Sequence, residues 1–365
     1  MATVKLRRTA SMWRTAAAGV LAAVTLGAAV ACSSGDDGDS AAGTSGESGD
    51  GNFPVTVGHV YGETEIPEKP ERVVTIGWIT HDIVAALGTA PVGVDETWGG
   101  DDEGFTPWFR HQVQDVLGAD MPETTNRDDG TTDIEKIATL KPDLILAPHS
   151  GVTADDYSKL SSIAPTVAYQ EKPWQSGNWQ DLTRTVAKAL GEDARATELI
   201  SETGDAMAAE AAKHPQLAGK NFLYGLTLPP EGSSSIGIYV SGDPRVAFLR
   251  EFGLVDSPSL KTDLNVEDAD SFYGDISLEN LQRVKTDLFV GWSGGHDETE
   301  DTLDNPAVAR WEPIKSGHYY LIEDETLASA TNAPSPLSIR WSLDQGFLDD
   351  LASAVDGGAV VRPAR

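Results

Sequence analysis

The chain has 365 residues, with 27 basic and 57 acidic side chains and a formal net charge of −30 at pH 7. Phosphate backbones are bound through basic stripes, so this balance excludes a nucleic-acid partner and favours solubility. A single cysteine excludes an internal disulfide framework.

Residues 1–31 carry Lys5, Arg7, Arg8 and Arg14 and no acid, and an apolar run fills residues 16–31. Its length and small side chains are those of a secretory signal rather than a membrane span. The run ends in Ala29-Val30-Ala31-Cys32, which resembles a bacterial lipobox, whose cysteine is acylated and becomes the first mature residue. Ala29 departs from that pattern, where a larger aliphatic residue is usual; the alternative is an ordinary signal peptide with an incidental cysteine. Removing residues 1–31 takes the net charge to about −34. Residues 33–52, SSGDDGDSAAGTSGESGDGN, are too small and polar to bury a core, so residues 32–52 form a lipidated flexible tether.

About 310 residues follow, enough for two lobes. Residues 71–77 form a buried strand, 81–87 a short helix stopped by Gly88, and 92–94 a second strand. A helix over 133–140 leads into a strand at 144–147, and a helix over 155–163 into one at 166–169. This alternation, with strands apolar on both faces, predicts an α/β fold with a largely parallel sheet. A long amphipathic helix spans residues 192–213, with Ala196, Leu199, Ile200, Thr203 and Met207 on one face. At 1.5 Å per residue it would extend roughly 33 Å, a strut between lobes or a helix packed within one. The second half repeats the style. It has strands at 221–226, 236–240, 287–290 and 319–322, and helices at 245–252, 276–284 and 336–355.

The sharpest signal is an internal near-repeat. In IEKIATLKPDLIL (134–146) and LENLQRVKTDLFV (278–290), a glutamate, Glu135 or Glu279, stands eight residues before an aspartate. Aliphatic residues follow the glutamate at two and five, lysine at six, and an apolar strand follows the aspartate. One supersecondary unit in each half points to two related lobes.

With FPVTVGHVYGETEIPEKPER (53–72) and SPLSIRWSLDQGFLDDLA (335–352), these segments make the chain resemble the iron-siderophore and cobalamin group of substrate-binding proteins that serve ABC importers. The similarity spans residues 53–356. It implies two Rossmann-like α/β lobes joined by a single long helix, with the ligand in the cleft between them: an N-terminal lobe over 53–177, connecting helices over 178–215 and a C-terminal lobe over 216–365. It implies a non-enzymatic protein that hands a ferric siderophore to an ABC permease and its ATPase. Such a protein is anchored to the outer face of the cytoplasmic membrane through acylated Cys32 and has no cofactor beyond the iron in its cargo. Glu135 and Glu279 match the residues that engage permease arginines in that family. Physically, two carboxylates on opposite lobes make a two-point charged dock; the alternative is that each favours a helix start.

A ferric siderophore calls for aromatic walls and one or two arginines rather than direct metal ligands. Eight tryptophans follow the leader. Trp78 and Trp292 follow strands, where open α/β sheets bind ligands. Trp98, Trp108 and Arg110 lie in the long loop after Val94, His149 follows a strand, and Trp174 precedes the strut. Tyr239 and Arg245 flank a second-half loop, and Arg340 is a further candidate with Tyr273 and Trp341. Core packing is the competing role for each aromatic, while Trp179 and Trp311 are expected in the core. Haem and cobalamin remain alternative ligands. The chemistry has two rivals. Gly291-Trp292-Ser293-Gly294-Gly295 matches a nucleophile elbow that would make Ser293 a hydrolase serine, but His296 is too near in sequence for a usual triad partner. The seven histidines are scattered without ligand spacing, which argues against a direct metal site, with His149 the one exception because it follows a strand.

Overall fold

The computed structural model describes residues 53–127, 130–174, 177–229, 232–265 and 272–364. The leader, Cys32 and the acidic tether lie outside them. Among the described residues no helix is long and apolar enough to cross a membrane.

The described chain opens with an antiparallel hairpin, β1 (Val55–His59) and β2 (Gly62–Ile66). Alternation along GETEI buries Thr64 and Ile66 and exposes Glu63 and Glu65. A five-stranded sheet follows: β3 (Val73–Thr75), β4 (Gly93–Val94), β5 (Glu123–Thr124), β6 (Leu144–Leu146) and β7 (Thr166–Val167). Its strands are all parallel, in the order β5-β4-β3-β6-β7. The chain winds outward from β3 through β4 to β5, then crosses back to β6 and β7. The order therefore reverses between β3 and β6, and a crevice opens outside their carboxyl ends.

The second sheet holds β8 (Asn221–Leu226), β9 (Ser235–Tyr239), β10 (Val255–Asp256), β11 (Tyr273–Ser277), β12 (Leu288–Trp292), β13 (Tyr319–Ile322) and β14 (Val360–Arg362). Its order is β11-β9-β8-β12-β13-β14, with β10 on β8. It is mixed rather than wholly parallel, since β9 runs antiparallel to β8 and to β11.

Between the sheets lie helices Trp179–Leu190 and Asp193–Ala211, separated by Gly191 at φ 71°. The second is 19 residues long, about 28 Å. Its Ala196 and Leu199 pack into the core around β3 and β6, while Met207 packs into the core around β8 and β12. This helix thus serves both sheets. It is not alone, because the chain returns near its end: Ala330 joins Phe105, Trp108 and Phe109 in one apolar cluster, and Ala333 joins the core of the first sheet. Fully buried Asp82 takes hydrogen bonds at Oδ2 from Trp108 Nε1 (2.7 Å) and from Ser335 Oγ (2.6 Å).

Two sequence expectations need correction. Residues 276–284 do not form a helix. Ile276 pairs with Ile236 in β11, because alternation along YGDIS fits a sheet edge, and only Leu281–Arg283 makes a 3₁₀ turn. Residues 336–355 form two helices, Pro336–Asp344 and Phe347–Val355, broken where Gly346 adopts φ 82°. The near-repeat survives at its aspartates. Asp143, just before β6, accepts from the backbone N–H groups of Glu71 and Arg72 (2.8 and 2.9 Å) ahead of β3. Asp287, just before β12, accepts from the N–H of Asn221 (2.9 Å) at the start of β8. Each ties its strand to the neighbour it pairs with.

Candidate functional site

A cavity of about 200 Å³ is lined by Trp78, His149 and Trp174 from the first half and by Pro244, Arg245, Phe272 and Asn332 from the second. Trp78 follows β3 and His149 follows β6, so both stand at the reversal point of the first sheet. Gly77 permits this approach. It has φ 83°, and a Cβ there would sit 2.2 Å from the His149 carbonyl oxygen. Its N–H donates to Asp95 Oδ2 (2.7 Å), and Thr125 Oγ1 donates to Asp95 Oδ1 (3.0 Å). Burial raises the Asp95 pKa, against the pull of these two bonds. The ends of β3, β4 and β5 are thus held together next to Trp78.

Trp174 adopts φ 60° and donates its N–H to the Ser150 carbonyl (3.2 Å). Its indole meets His149 edge-on at 5.8 Å and Trp78 at 6.0 Å between ring centroids. A Cβ on Gly151 would come within 2.7 Å of its Nε1, so the ring lies against bare backbone. His149 is buried, and burial, followed by the charge of Arg245, holds its pKa down to about 3. The imidazole is therefore neutral at physiological pH, and its Nδ1 has no partner within the protein.

The opposite wall is built around one cation. Asp243 caps helix Pro244–Arg250, with Oδ1 accepting the Arg245 N–H (2.9 Å) and Oδ2 accepting from Arg245 Nη1 (2.8 Å). Burial pushes the Asp243 carboxyl upward, and the adjacent guanidinium opposes this. The guanidinium lies 4.3 Å from the Tyr239 ring centroid and 5.6 Å from that of Phe272, with its side chain 13% exposed. Its Nε is buried without a partner. Tyr239 accepts at its hydroxyl from Trp292 Nε1 (2.8 Å), and Tyr224 donates to Asn332 Oδ1 (2.7 Å). The site is thus aromatic, with one arginine whose charge a buried aspartate balances.

Of the residues read from sequence, Trp78, His149, Trp174 and Arg245 come together in this cavity. Tyr239 lies beneath Arg245, and half-buried Trp292 meets Trp98 at 5.1 Å between ring centroids with the planes tilted by 55°, a contact between the halves outside the cavity lining. Trp108 is instead buried, its indole N–H taken by Asp82 and its ring 5.0 Å from Trp341. Arg110 is drawn to Asp101 and Glu103 (2.6 and 2.7 Å). Arg340, its side chain 47% exposed, pairs with Glu202 (3.6 Å) on the long helix. Local acids and a buried carboxylate claim these side chains, which sequence spacing does not reveal.

Pro244, Phe272 and Asn332 were not among the expected residues. Phe272 precedes exposed Tyr273, so the lining ring is one position from the candidate. Glu135 is exposed in the first turn of helix Ile134–Leu140, and Glu279 is exposed in a turn rather than on a helix. Ser293 donates its Oγ–H to the Gly295 carbonyl (2.8 Å), while His296 pairs with Glu323 (3.2 Å) and Glu300 (3.4 Å). That arrangement makes no Ser–His couple. Among the described residues no group of three His, Cys, Asp or Glu side chains is placed to hold a metal ion.

Two sheets with a cleft lined from both sides define a two-lobed binding protein. Residues 73–326 match the periplasmic binding protein family model, and the chain belongs to that family. It is 24% identical over 269 residues to the Fe(3+)-citrate-binding protein YfmC of Bacillus subtilis, covering 73% of this chain and 77% of the relative. It is 26% identical to the putative ABC transporter substrate-binding lipoprotein YhfQ of the same organism, covering 77% and 84%. Among solved structures, PiaA of Streptococcus pneumoniae TIGR4 in complex with ferrichrome shares 35% identity at a TM-score of 0.75, covering 83% of this chain and 99% of that one. A periplasmic solute binding protein of Mycobacterium smegmatis shares 30% identity at a TM-score of 0.68, covering 82% and 98%. These relatives are substrate-binding proteins, not enzymes.

Proposed function

We propose that the protein captures a ferric siderophore of the hydroxamate class in this cleft and delivers it to an ABC permease and its ATPase for iron uptake. The observation that carries the reading is the balanced Arg245–Asp243 pair set among aromatic rings and a neutral His149. A ferric tris-hydroxamate has no net charge, and its apolar faces suit tryptophan walls. Ferric catecholates and ferric citrate are anionic and call for positive charge left uncompensated, which this lining does not offer. The likeness to a ferrichrome-bound protein supports the same class.

Exposed Glu135 and Glu279, one on each half, supply the proposed permease dock. Acylation of Cys32 would hold the protein on the outer face of the membrane; two Bacillus subtilis relatives carry lipoprotein names. Quenching of tryptophan fluorescence tests the ligand. Titrations of the purified protein with ferrichrome, a ferric catecholate, ferric citrate, haem and cobalamin should give saturable, sub-micromolar quenching with ferrichrome. Saturation by haem or cobalamin alone would overturn the siderophore reading.

A further inference from the structure

The ≈ 200 Å³ cavity falls below the roughly 300–1,000 Å³ of a pocket for a drug-sized ligand. A second, open cavity of about 860 Å³ lies on the other side of Trp174. It sits over the ends of β3, β4 and β6 and is bordered by helices Ile134–Leu140 and Ala154–Ser161. Trp174 lines both spaces. Its backbone holds a left-handed conformation that a bulky residue rarely adopts, a form of strain that clusters at ligand clamps. Its indole packs against Gly151, whose Cβ would fill the space the ring occupies.

The linings differ in chemistry. The smaller space is aromatic. The larger one presents Asp95, Arg127, Thr132, Glu135, Lys159 and Ser162. Lys159 pairs with Asp156 (3.3 Å) and Arg127 with Asp133 (3.6 Å), so each cation is matched by an acid, while Asp95 and Glu135 add carboxylates that no cation among the described residues pairs. Hydroxyls, paired cations and further carboxylates suit an uncharged chain that donates hydrogen bonds, rather than an anion or a ring.

We infer that this groove is a second subsite, which takes a hydroxylated or peptidic arm of the siderophore while the ferric head group occupies the aromatic cleft, and that Trp174 is the partition that sets the fit between them. The inference rests on the siderophore reading above. Glu135 borders the groove, so the test must read binding directly rather than uptake.

The experiment is calorimetric titration of the intact protein with two probes. One is ferrichrome, and the other is a ferric linear trihydroxamate carrying a tetraserine arm on its terminal amine. The arm should tighten binding about tenfold over the same trihydroxamate without it. Ala138→Trp adds a ring to the groove from an exposed helical position and should abolish that advantage while leaving ferrichrome affinity unchanged, which also certifies the fold. Ser162→Trp, from the facing helix end, should do the same. Trp174→Ala should weaken ferrichrome more than the armed probe. An arm that confers no gain in the wild type, or a gain that survives both groove variants, overturns the second subsite. Failure of every trihydroxamate to bind the wild type overturns the ligand reading instead.

Discussion

On the first-sheet side of the cleft, the wall is set by backbone. Gly77 and Gly151 allow Trp78, His149 and Trp174 to meet where side chains would collide, and Asp95 anchors the loop through an N–H group. On the second-sheet side, the wall is set by side-chain charge. Asp243 fixes Arg245 at both its backbone and its guanidinium, and Tyr239 supplies a surface for it to stack on. One wall is rigid because few residues fit it. The other is rigid because a buried charge tolerates few alternatives. The two should therefore fail differently.

The largest effect is expected on the charged wall. Asp243→Ala removes a helix cap and strands a largely buried guanidinium, so urea unfolding should show a loss of about 3 kcal/mol. A loss below about 1 kcal/mol would mean that Arg245 finds another partner or reaches water. On the backbone wall, Gly77→Ala should cost about 2 kcal/mol or more, since φ 83° and a 2.2 Å clash with the His149 carbonyl coincide. It should also weaken ferrichrome binding, because Trp78 and His149 move with the loop. Retention of full affinity would show that the wall is adjustable.

His149 sharpens the comparison through pH. Its folded pKa lies near 3, below the unfolded value near 6.5, so as pH falls through that window the unfolded chain takes up the extra proton. Wild-type stability should fall by up to about 1.4 kcal/mol per pH unit below 6.5 from this group, roughly 2 kcal/mol by pH 5. His149→Gln should flatten that slope in urea unfolding at pH 7 and pH 5; an unchanged slope would assign the acid sensitivity to other groups. The smallest effect on the cleft is expected from Glu135→Lys with Glu279→Lys. Ferrichrome affinity should stay within about twofold, while iron uptake in cells is lost. A collapse of affinity would make these glutamates structural.

The strands and their ends were legible because apolar runs bounded by Gly, Pro and Asp read directly, and Trp78 and His149 follow from that placement. Asp143 and Asp287 were visible as a repeat, though the repeat preserves a strand-start bond rather than a matching helix. The segment 276–284 misled because Ile276, Leu281 and Val284 fit a helical face as well as a strand and a 3₁₀ turn. Trp108 and Arg110 could not be separated from ligand contacts by sequence. Their partners, Asp82 and Asp101, are chosen by tertiary approach and by loop geometry. Phe272 and Asn332 carry no local signal, since a loop aromatic and a helix-end amide gain their role only when the halves meet.

The claim that the cleft selects a neutral cargo is tested most directly by one pair of affinities, ferrichrome against a ferric tris-catecholate, on the wild type and on Asp243→Asn. The account predicts that the wild type prefers ferrichrome by at least about tenfold, and that removing the balancing charge shifts preference toward the anion. A wild type that prefers the catecholate, or a preference unmoved by Asp243→Asn, would contradict it.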